Sequence, residues 1–229
     1  MKKTAILVDG AFYNKRAQYL FGSKSPKERA DELITYCMRH LSKNERKSEL
    51  YRIFYYDCMP LDKKVFHPFT GRTVDLGKTE QKQWMEEFFK ELAAKRKVAI
   101  RRGELLESSA NYTLKQDVVK KLFRGDIKFE EIKESDFYLD VKQKGVDMKI
   151  GLDISSLAYK KQVDQIILIA GDSDFVPAAK HARREGIDFI LDPMWHTIKE
   201  SLNEHIDGLR SCTPKKDEGS EPLRAAKIK

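Results

Sequence analysis

Aspartates follow the two most apolar segments of the chain, at the point where each segment ends. Asp9 comes directly after the apolar residues 4–8, and Asp172 and Asp174 follow residues 165–170. In a parallel α/β sheet, ligands bind beyond the carboxyl ends of the strands, near the point where strand order reverses. If the two segments are neighbouring buried strands, their aspartates are predicted to project into one crevice.

A further carboxylate, Asp147, opens a predicted helix that can bring it to the same crevice. Close carboxylates raise one another's pKa values unless a cation compensates their charge. Oxygen ligands favour hard cations, and Mg²⁺ binds through a few carboxylates, keeps several waters and completes its shell with substrate phosphate. A metal held there would polarise a phosphate oxygen and lower the pKa of a bound water for in-line attack.

Each aspartate also has a purely structural explanation. Asp9 with Gly10 can form a turn, Asp147 can favour a helix N-terminus by its charge, and Asp174 can cap the following helix. These roles give no reason for the side chains to converge, which is what the strand-end pattern predicts. Asp153 follows Asp147 by six residues, about 240° round an α-helix, and is predicted to point away from it.

The composition limits the class of protein. The chain has 229 residues and a net charge of +8, which allows one substantial core and favours polyanionic partners. Mean hydropathy is -0.60, and no apolar run approaches the roughly 18 residues that a membrane span needs. We therefore expect a cytoplasmic protein without a membrane partner. Cys37, Cys58 and Cys212 form no CxxC pair, which argues against a disulfide framework and a thiolate zinc site.

Strands alternate with helices along the chain, which predicts a mainly parallel α/β sheet covered on both faces. Residues 4–8 are predicted to form a central strand followed by a turn, and residues 57–78 a long loop. Further strands are predicted at 50–56, 98–100, 165–170 and 187–191, and helices at about 26–40, 80–95, 146–159, 175–184 and 198–206.

Two regions stand outside this pattern. Residues 104–142 lack a clear period and are predicted to be an arm or insertion, which could support a homo-oligomer. Residues 213–229 mix Pro, Gly, Ser and charges with few large apolar residues, and are predicted to be a disordered basic tail.

Three segments resemble the signature segments of the NYN domain family, especially its LabA-like branch. They are residues 6–10 with Asn14 nearby, residues 144–153, and residues 169–175 with Pro177. The resemblance spans about residues 4–191 and implies a PIN-like domain over residues 1–212, with a mainly parallel sheet. It also implies an acidic Mg²⁺ or Mn²⁺ site and cleavage or processing of RNA.

The resemblance carries over to particular side chains. The positions that match the acidic metal-site residues, and that we therefore predict to be catalytic, are Asp9, Asp147, Asp172 and Asp174. Asn14 matches a polar position near the substrate, although its distance in sequence from Asp9 is longer than in the compact DGxN form.

Basic and aromatic residues flank the predicted acidic site. Tyr13, Lys15 and Arg16 follow Asp9 along the chain, and Lys144 precedes Asp147. Such side chains can meet a phosphate or stack on a base, so we predict that these four contact the substrate, together with Asn14.

The sequence therefore predicts a metal-dependent endoribonuclease that acts on single-stranded or locally unpaired RNA. An RNA- or protein-binding regulator that keeps the acidic pocket without hydrolysis is the alternative. A phosphohydrolase with Asp9 as nucleophile is disfavoured, because Ala11 occupies the position of the second aspartate in a DxD motif. A nucleotide-binding Rossmann enzyme is disfavoured because no GxGxxG follows the first strand.

Overall fold

The computed structural model describes residues 1–42 and 48–213. Its strands are β1 (Lys2–Asp9), β2 (Ser48–Cys58), β3 (Lys64–His67), β4 (Arg72–Asp75), β5 (Val98–Leu105), β6 (Asn111–Leu114), β7 (Phe137–Asp140), β8 (Gln143–Lys144), β9 (Gln165–Ile169), β10 (Asp188–Asp192) and β11 (Gly208–Leu209). Its α-helices are α1 (Gly10–Phe21), α2 (Pro26–Ser42), α3 (Glu80–Ala93), α4 (Gln116–Arg124), α5 (Val146–Tyr159), α6 (Val176–Arg184) and α7 (Glu200–Asn203).

A seven-stranded sheet in the order β11-β10-β9-β1-β2-β5-β8 organises the molecule. All of its pairs are parallel except β5 with the short edge strand β8. The prediction of a mainly parallel α/β sheet is confirmed, and so is the central position of β1. β1 pairs directly with β9, so the two most apolar strands are neighbours and their carboxyl ends lie side by side.

Helices cover both faces of the sheet because β1 is apolar on both sides. Its residues Ala5 and Leu7 belong to a core cluster shared with α5 and α6, whereas Ile6 and Val8 pack with α1, α2 and α3. All four side chains are completely buried. Burial on both faces is why this strand is continuously apolar in sequence, and it fixes the direction in which Asp9 leaves the sheet.

The chain after β1 is a helix, so the predicted turn is wrong. α1 begins at Gly10, because the Asp9 carboxylate caps its first turn and accepts a hydrogen bond from the Phe12 amide at 3.1 Å. A Cβ atom on Gly10 would lie 2.5 Å from Tyr55 Oη and 2.6 Å from Asp57 Oδ2. Glycine is therefore needed here for close approach of α1 to β2.

The predicted loop at 57–78 contains an antiparallel hairpin, β3–β4. Within residues 104–142, β6 and β7 form a second two-stranded sheet and α4 lies between them in sequence. The hairpins share a small core with Leu61, Val65 and Leu76. These strands are only four residues long, which is too short for the sequence period to identify them.

The last predicted helix is shorter than expected, since α7 spans only Glu200–Asn203. Apart from Thr213, the predicted tail at 213–229 lies outside the described residues. In the described parts of the chain, no helix is both long and apolar enough to cross a membrane.

Candidate active site

Asp9 stands at the carboxyl end of the central strand, where α1 begins. Burial raises the pKa of Asp9 to about 6, against the stabilising hydrogen bond from Phe12, and the charges of Asp147 and Asp57 raise the pKa further. A carboxyl group shifted in this way lacks positive partners. Asp9 therefore lies in a site that favours either a proton or a cation.

Asp147, Asp172 and Asp174 extend this acidic group towards solvent. Gly145, with φ +85°, precedes α5 and leaves Asp147 in the first helical turn. Asp172 follows β9 and accepts a hydrogen bond from the Asp174 amide at 3.1 Å. Partial desolvation raises the pKa of Asp147, and the charges of Asp172 and Asp174 raise it further.

The structure therefore brings the four predicted aspartates into one electrostatic group. Asp9 interacts with Asp147, and Asp147 interacts with Asp172 and Asp174. Three of the four side chains are exposed, and Asp9 is half-buried. Their catalytic and metal-binding roles stay predictions.

Asp57 is a fifth carboxylate at this edge, in addition to the four predicted ones. It lies near the end of β2, is only 6% exposed, and accepts hydrogen bonds from the Cys58 amide at 2.8 Å and the Tyr55 hydroxyl at 3.0 Å. Burial raises its pKa. The strand-end rule does point to Asp57, because it directly follows the predicted strand at 50–56, but the residue was assigned to the predicted loop at 57–78.

Asn14 supports Asp57 through Tyr55. The Asn14 side-chain amide donates to Tyr55 Oη at 2.9 Å, and Tyr55 in turn donates to Asp57. Asn14 Oδ1 is buried and has no hydrogen-bond partner among the described residues. This geometry gives Asn14 a positioning role, which the predicted substrate contact did not anticipate.

The other predicted substrate residues have different surroundings. Tyr13 is fully buried and donates to Glu32, so its predicted stacking on a base is corrected to a core role. Arg16 donates through Nε and Nη2 to the Met194 carbonyl oxygen, which ties α1 to the turn after β10. Lys15 and Lys144 are exposed and stay candidates for phosphate contact.

Asp153 points away from the acidic group, as its position on α5 predicts. Its carboxylate accepts hydrogen bonds from Tyr56 at 2.8 Å and from Arg101 Nε at 2.9 Å. Tyr56 and Arg101 come from β2 and β5, so Asp153 joins α5 to the sheet. It is a structural residue.

The four aspartates of this edge offer carboxylate oxygens, a donor type that suits a hard cation. Among the described residues, no three His, Cys, Asp or Glu side chains already form a coordination group. Mg²⁺ requires only one or two protein carboxylates when waters and substrate phosphates complete its shell. The residues that would hold such an ion are Asp9, Asp147, Asp172 and Asp174.

The comparisons with known proteins identify the family of the chain. The NYN domain model matches residues 77–206, and the chain therefore belongs to the NYN domain family, a family of PIN-like nucleases. No curated protein matches the chain. Among solved structures, it is similar to a protein of unknown function from Vibrio parahaemolyticus, with 14% identity and a TM-score of 0.44 over 91% of each chain.

Proposed function

We propose that the protein is a cytoplasmic, divalent-metal-dependent endoribonuclease of the LabA-like branch, acting on single-stranded or locally unpaired RNA with Mg²⁺ or Mn²⁺. The observation that carries the proposal is the acidic group at the carboxyl edge of β1 and β9, where Asp9 has a pKa raised to about 6. The caps that Asp9 and Asp172 form explain each carboxylate singly, but they leave the mutual repulsion of the group uncompensated, and a bound cation would relieve it. Family membership and the net charge of +8 support RNA as the substrate.

The metal and the side chains of the acidic group would have different roles in hydrolysis. When bound, the metal would supply Lewis acidity and an activated water. The hydrogen bond from the Phe12 amide fixes the Asp9 carboxylate, and Asp147, Asp172 and Asp174 present oxygens from two other elements.

The neighbouring polar and basic residues serve the same site. Asn14 and Tyr55 hold Asp57 beside Asp9, which keeps negative charge concentrated there. The exposed ammonium groups of Lys15 and Lys144 are available to orient an RNA phosphate.

Cleavage of a labelled single-stranded RNA by wild type and Asp172→Asn tests the proposal. Wild type should give products with Mg²⁺ or Mn²⁺ and none with EDTA, while the variant should lose at least about a hundredfold in rate. Asp117→Asn, which changes an exposed carboxylate in the first turn of α4, is the matched control. Undiminished cleavage by a folded Asp172→Asn protein would reject the assignment.

A non-catalytic RNA-binding module is the second candidate. It is favoured by the structural roles that Asp9 and Asp172 have without any metal, since each accepts a backbone hydrogen bond as a cap. Wild type that binds labelled RNA and yields no metal-dependent products over a broad substrate panel would establish this alternative.

A further inference from the structure

An aromatic side chain lies between the first and last acidic segments. The Phe12 amide binds Asp9, and its ring lies against Gly171, the residue before Asp172. A Cβ atom on Gly171 would be 2.5 Å from the Phe12 ring, so only glycine allows this contact. The half-buried ring is therefore held directly beside two of the proposed metal ligands.

A second and a third aromatic residue come from the turn after β10. The His196 ring meets the Phe12 ring edge-on, with centroids 6.1 Å apart and an interplanar angle of 62°. His196 is exposed, and its neighbour Trp195 keeps 43% of its surface exposed. These are large ring surfaces left open at the sheet edge that carries the acidic group.

The turn that carries Trp195 and His196 has backbone dihedral angles that are unfavourable for residues other than glycine. Met194 and Trp195 have φ values of +46° and +62°, in the left-handed region that favours glycine. Non-glycine residues persist there only when their surroundings over-determine the conformation, and such sites cluster at ligand-binding positions.

Hydrogen bonds from three other elements hold this turn. Asp192 accepts from the Met194 amide at 2.7 Å, and Arg16 donates to the Met194 carbonyl oxygen. The Trp195 amide donates to Ser211 Oγ at 3.1 Å, and its indole nitrogen donates to the carbonyl oxygen of Thr213 at 2.9 Å. Trp195 is thus restrained at both its backbone and its ring.

We propose that Phe12, Trp195 and His196 form an aromatic platform that seats an unpaired nucleobase next to the scissile phosphate. The inference rests on the proposed function, and it names how the site selects its substrate. Aromatic faces stack with every base once the base has left a duplex. Because Trp195 is already restrained, stacking on it sacrifices little further rotamer freedom. The platform therefore favours single-stranded over paired RNA.

Tryptophan fluorescence can report on the platform directly. The chain has two tryptophans, so Trp84→Phe leaves Trp195 as the sole indole. This protein is titrated in EDTA with a single-stranded RNA decamer of mixed sequence and with the same decamer in a duplex. Single-stranded RNA should quench Trp195, and the duplex should bind at least about fivefold more weakly.

Substitutions then measure what the platform contributes. Trp195→Leu and His196→Ala are made in the wild-type chain, and binding of a fluorescein-labelled decamer is followed by anisotropy. Each is expected to weaken binding about fivefold or more. Phe123→Leu, which removes an 89% exposed ring on α4, should leave affinity unchanged. His196→Ala keeps the test valid if Trp195→Leu does not fold.

The outcomes separate the platform from the nuclease. Wild-type affinity in folded His196→Ala and Trp195→Leu proteins, with metal-dependent cleavage intact, would overturn the platform alone. Quenching and weakened binding without any Mn²⁺-dependent product would support the platform and overturn the nuclease. Failure of wild type to bind single-stranded RNA would overturn the platform as well.

Discussion

Two aspartates end parallel strands of the same sheet, and they differ in whether hydrogen-bond donors or other carboxylates surround them. Asp192 ends β10, is completely buried and accepts hydrogen bonds from the Tyr36 and Ser211 hydroxyls, the His40 ring and the Met194 amide. Asp9 ends β1, accepts a hydrogen bond from the Phe12 amide and has the carboxylates of Asp147 and Asp57 as its charged neighbours. The position at a strand end is shared, so the partners decide the role.

The comparison gives a criterion for this class of fold. A strand-end carboxylate whose oxygens are satisfied by donors, as in Asp192, holds loops and helices together. A strand-end carboxylate whose neighbours are further carboxylates, as in Asp9, is left uncompensated by the protein itself. The first contributes to stability, and the second opposes it in the absence of a cation.

The largest effect on stability is expected for Asp192, because hydrogen-bond donors surround its buried carboxylate. Asp192→Ala leaves the buried donors of Tyr36 and His40 without an acceptor, and should lower the free energy of unfolding by about 3–5 kcal/mol. Urea denaturation followed by circular dichroism measures the loss. Asp172→Ala is the matched control, with at most about 1 kcal/mol lost through the turn it caps. Equal losses in both proteins would remove the distinction between the two kinds of aspartate.

Substitution of Asp9 should have the opposite effect on the free energy of unfolding. Its pKa is about 6 in the fold against an ordinary value of 3.8, so the folded chain binds more protons and loses stability as the pH rises from about 4 to 6. In EDTA, Asp9→Asn should gain about 3 kcal/mol over wild type at pH 7.5 and nothing at pH 4. Thermal unfolding at both values checks this, and a variant less stable than wild type at pH 7.5 would contradict it.

Substitution of two neighbouring tyrosines tests whether Tyr55 positions the Asp57 carboxylate. Tyr55→Phe removes the hydroxyl that joins Asn14 to Asp57, and should weaken Mn²⁺ binding and RNA cleavage about tenfold. Tyr56→Phe removes a comparable hydrogen bond to Asp153 on the opposite face of the sheet. That control should leave Mn²⁺ affinity unchanged in isothermal titration calorimetry. If both variants lose affinity alike, Tyr55 has only a general structural role.

Two glycines compare a tight contact between elements with an open position on a helix. Gly10→Ala should destabilise the fold by about 1–3 kcal/mol, because its Cβ would overlap Tyr55 and Asp57. Gly151 lies within α5 with nothing inside 4 Å of its Cβ position, so Gly151→Ala should stabilise by about 0.5–1 kcal/mol. Thermal unfolding compares the two. A stabilising Gly10→Ala would show that the approach of α1 to β2 is not tight.

Local chemistry made much of the fold predictable. The bounds of α5 follow from helical spacing, and the pairing of β1 with β9 follows from their shared apolar character. The predicted turn at Asp9 was wrong because an aspartate before glycine is compatible with both a turn and a helix cap. Only the packing of α1 on β2 decides between them, and that contact is remote in sequence.

The candidate site was predictable to the extent that it follows from strand ends. Asp9 and Asp172 were found in this way, whereas Asp57, which follows the predicted strand at 50–56 in the same manner, was assigned to a loop. The roles of Tyr13 and Arg16 depend on Glu32 and Met194, which the sequence does not pair with them. Side-chain partners at long range are set by tertiary packing and leave no local pattern.

In the proposed mechanism, acidic side chains remote in sequence jointly hold a hard dication. Anomalous diffraction from crystals soaked in Mn²⁺ tests it most directly. The account predicts a manganese peak at the carboxyl edge of β1 and β9, ligated by Asp9 and at least one of Asp147, Asp172 and Asp174, and absent in Asp9→Asn. A map without a peak there, or a peak that persists unchanged in the variant, would contradict it.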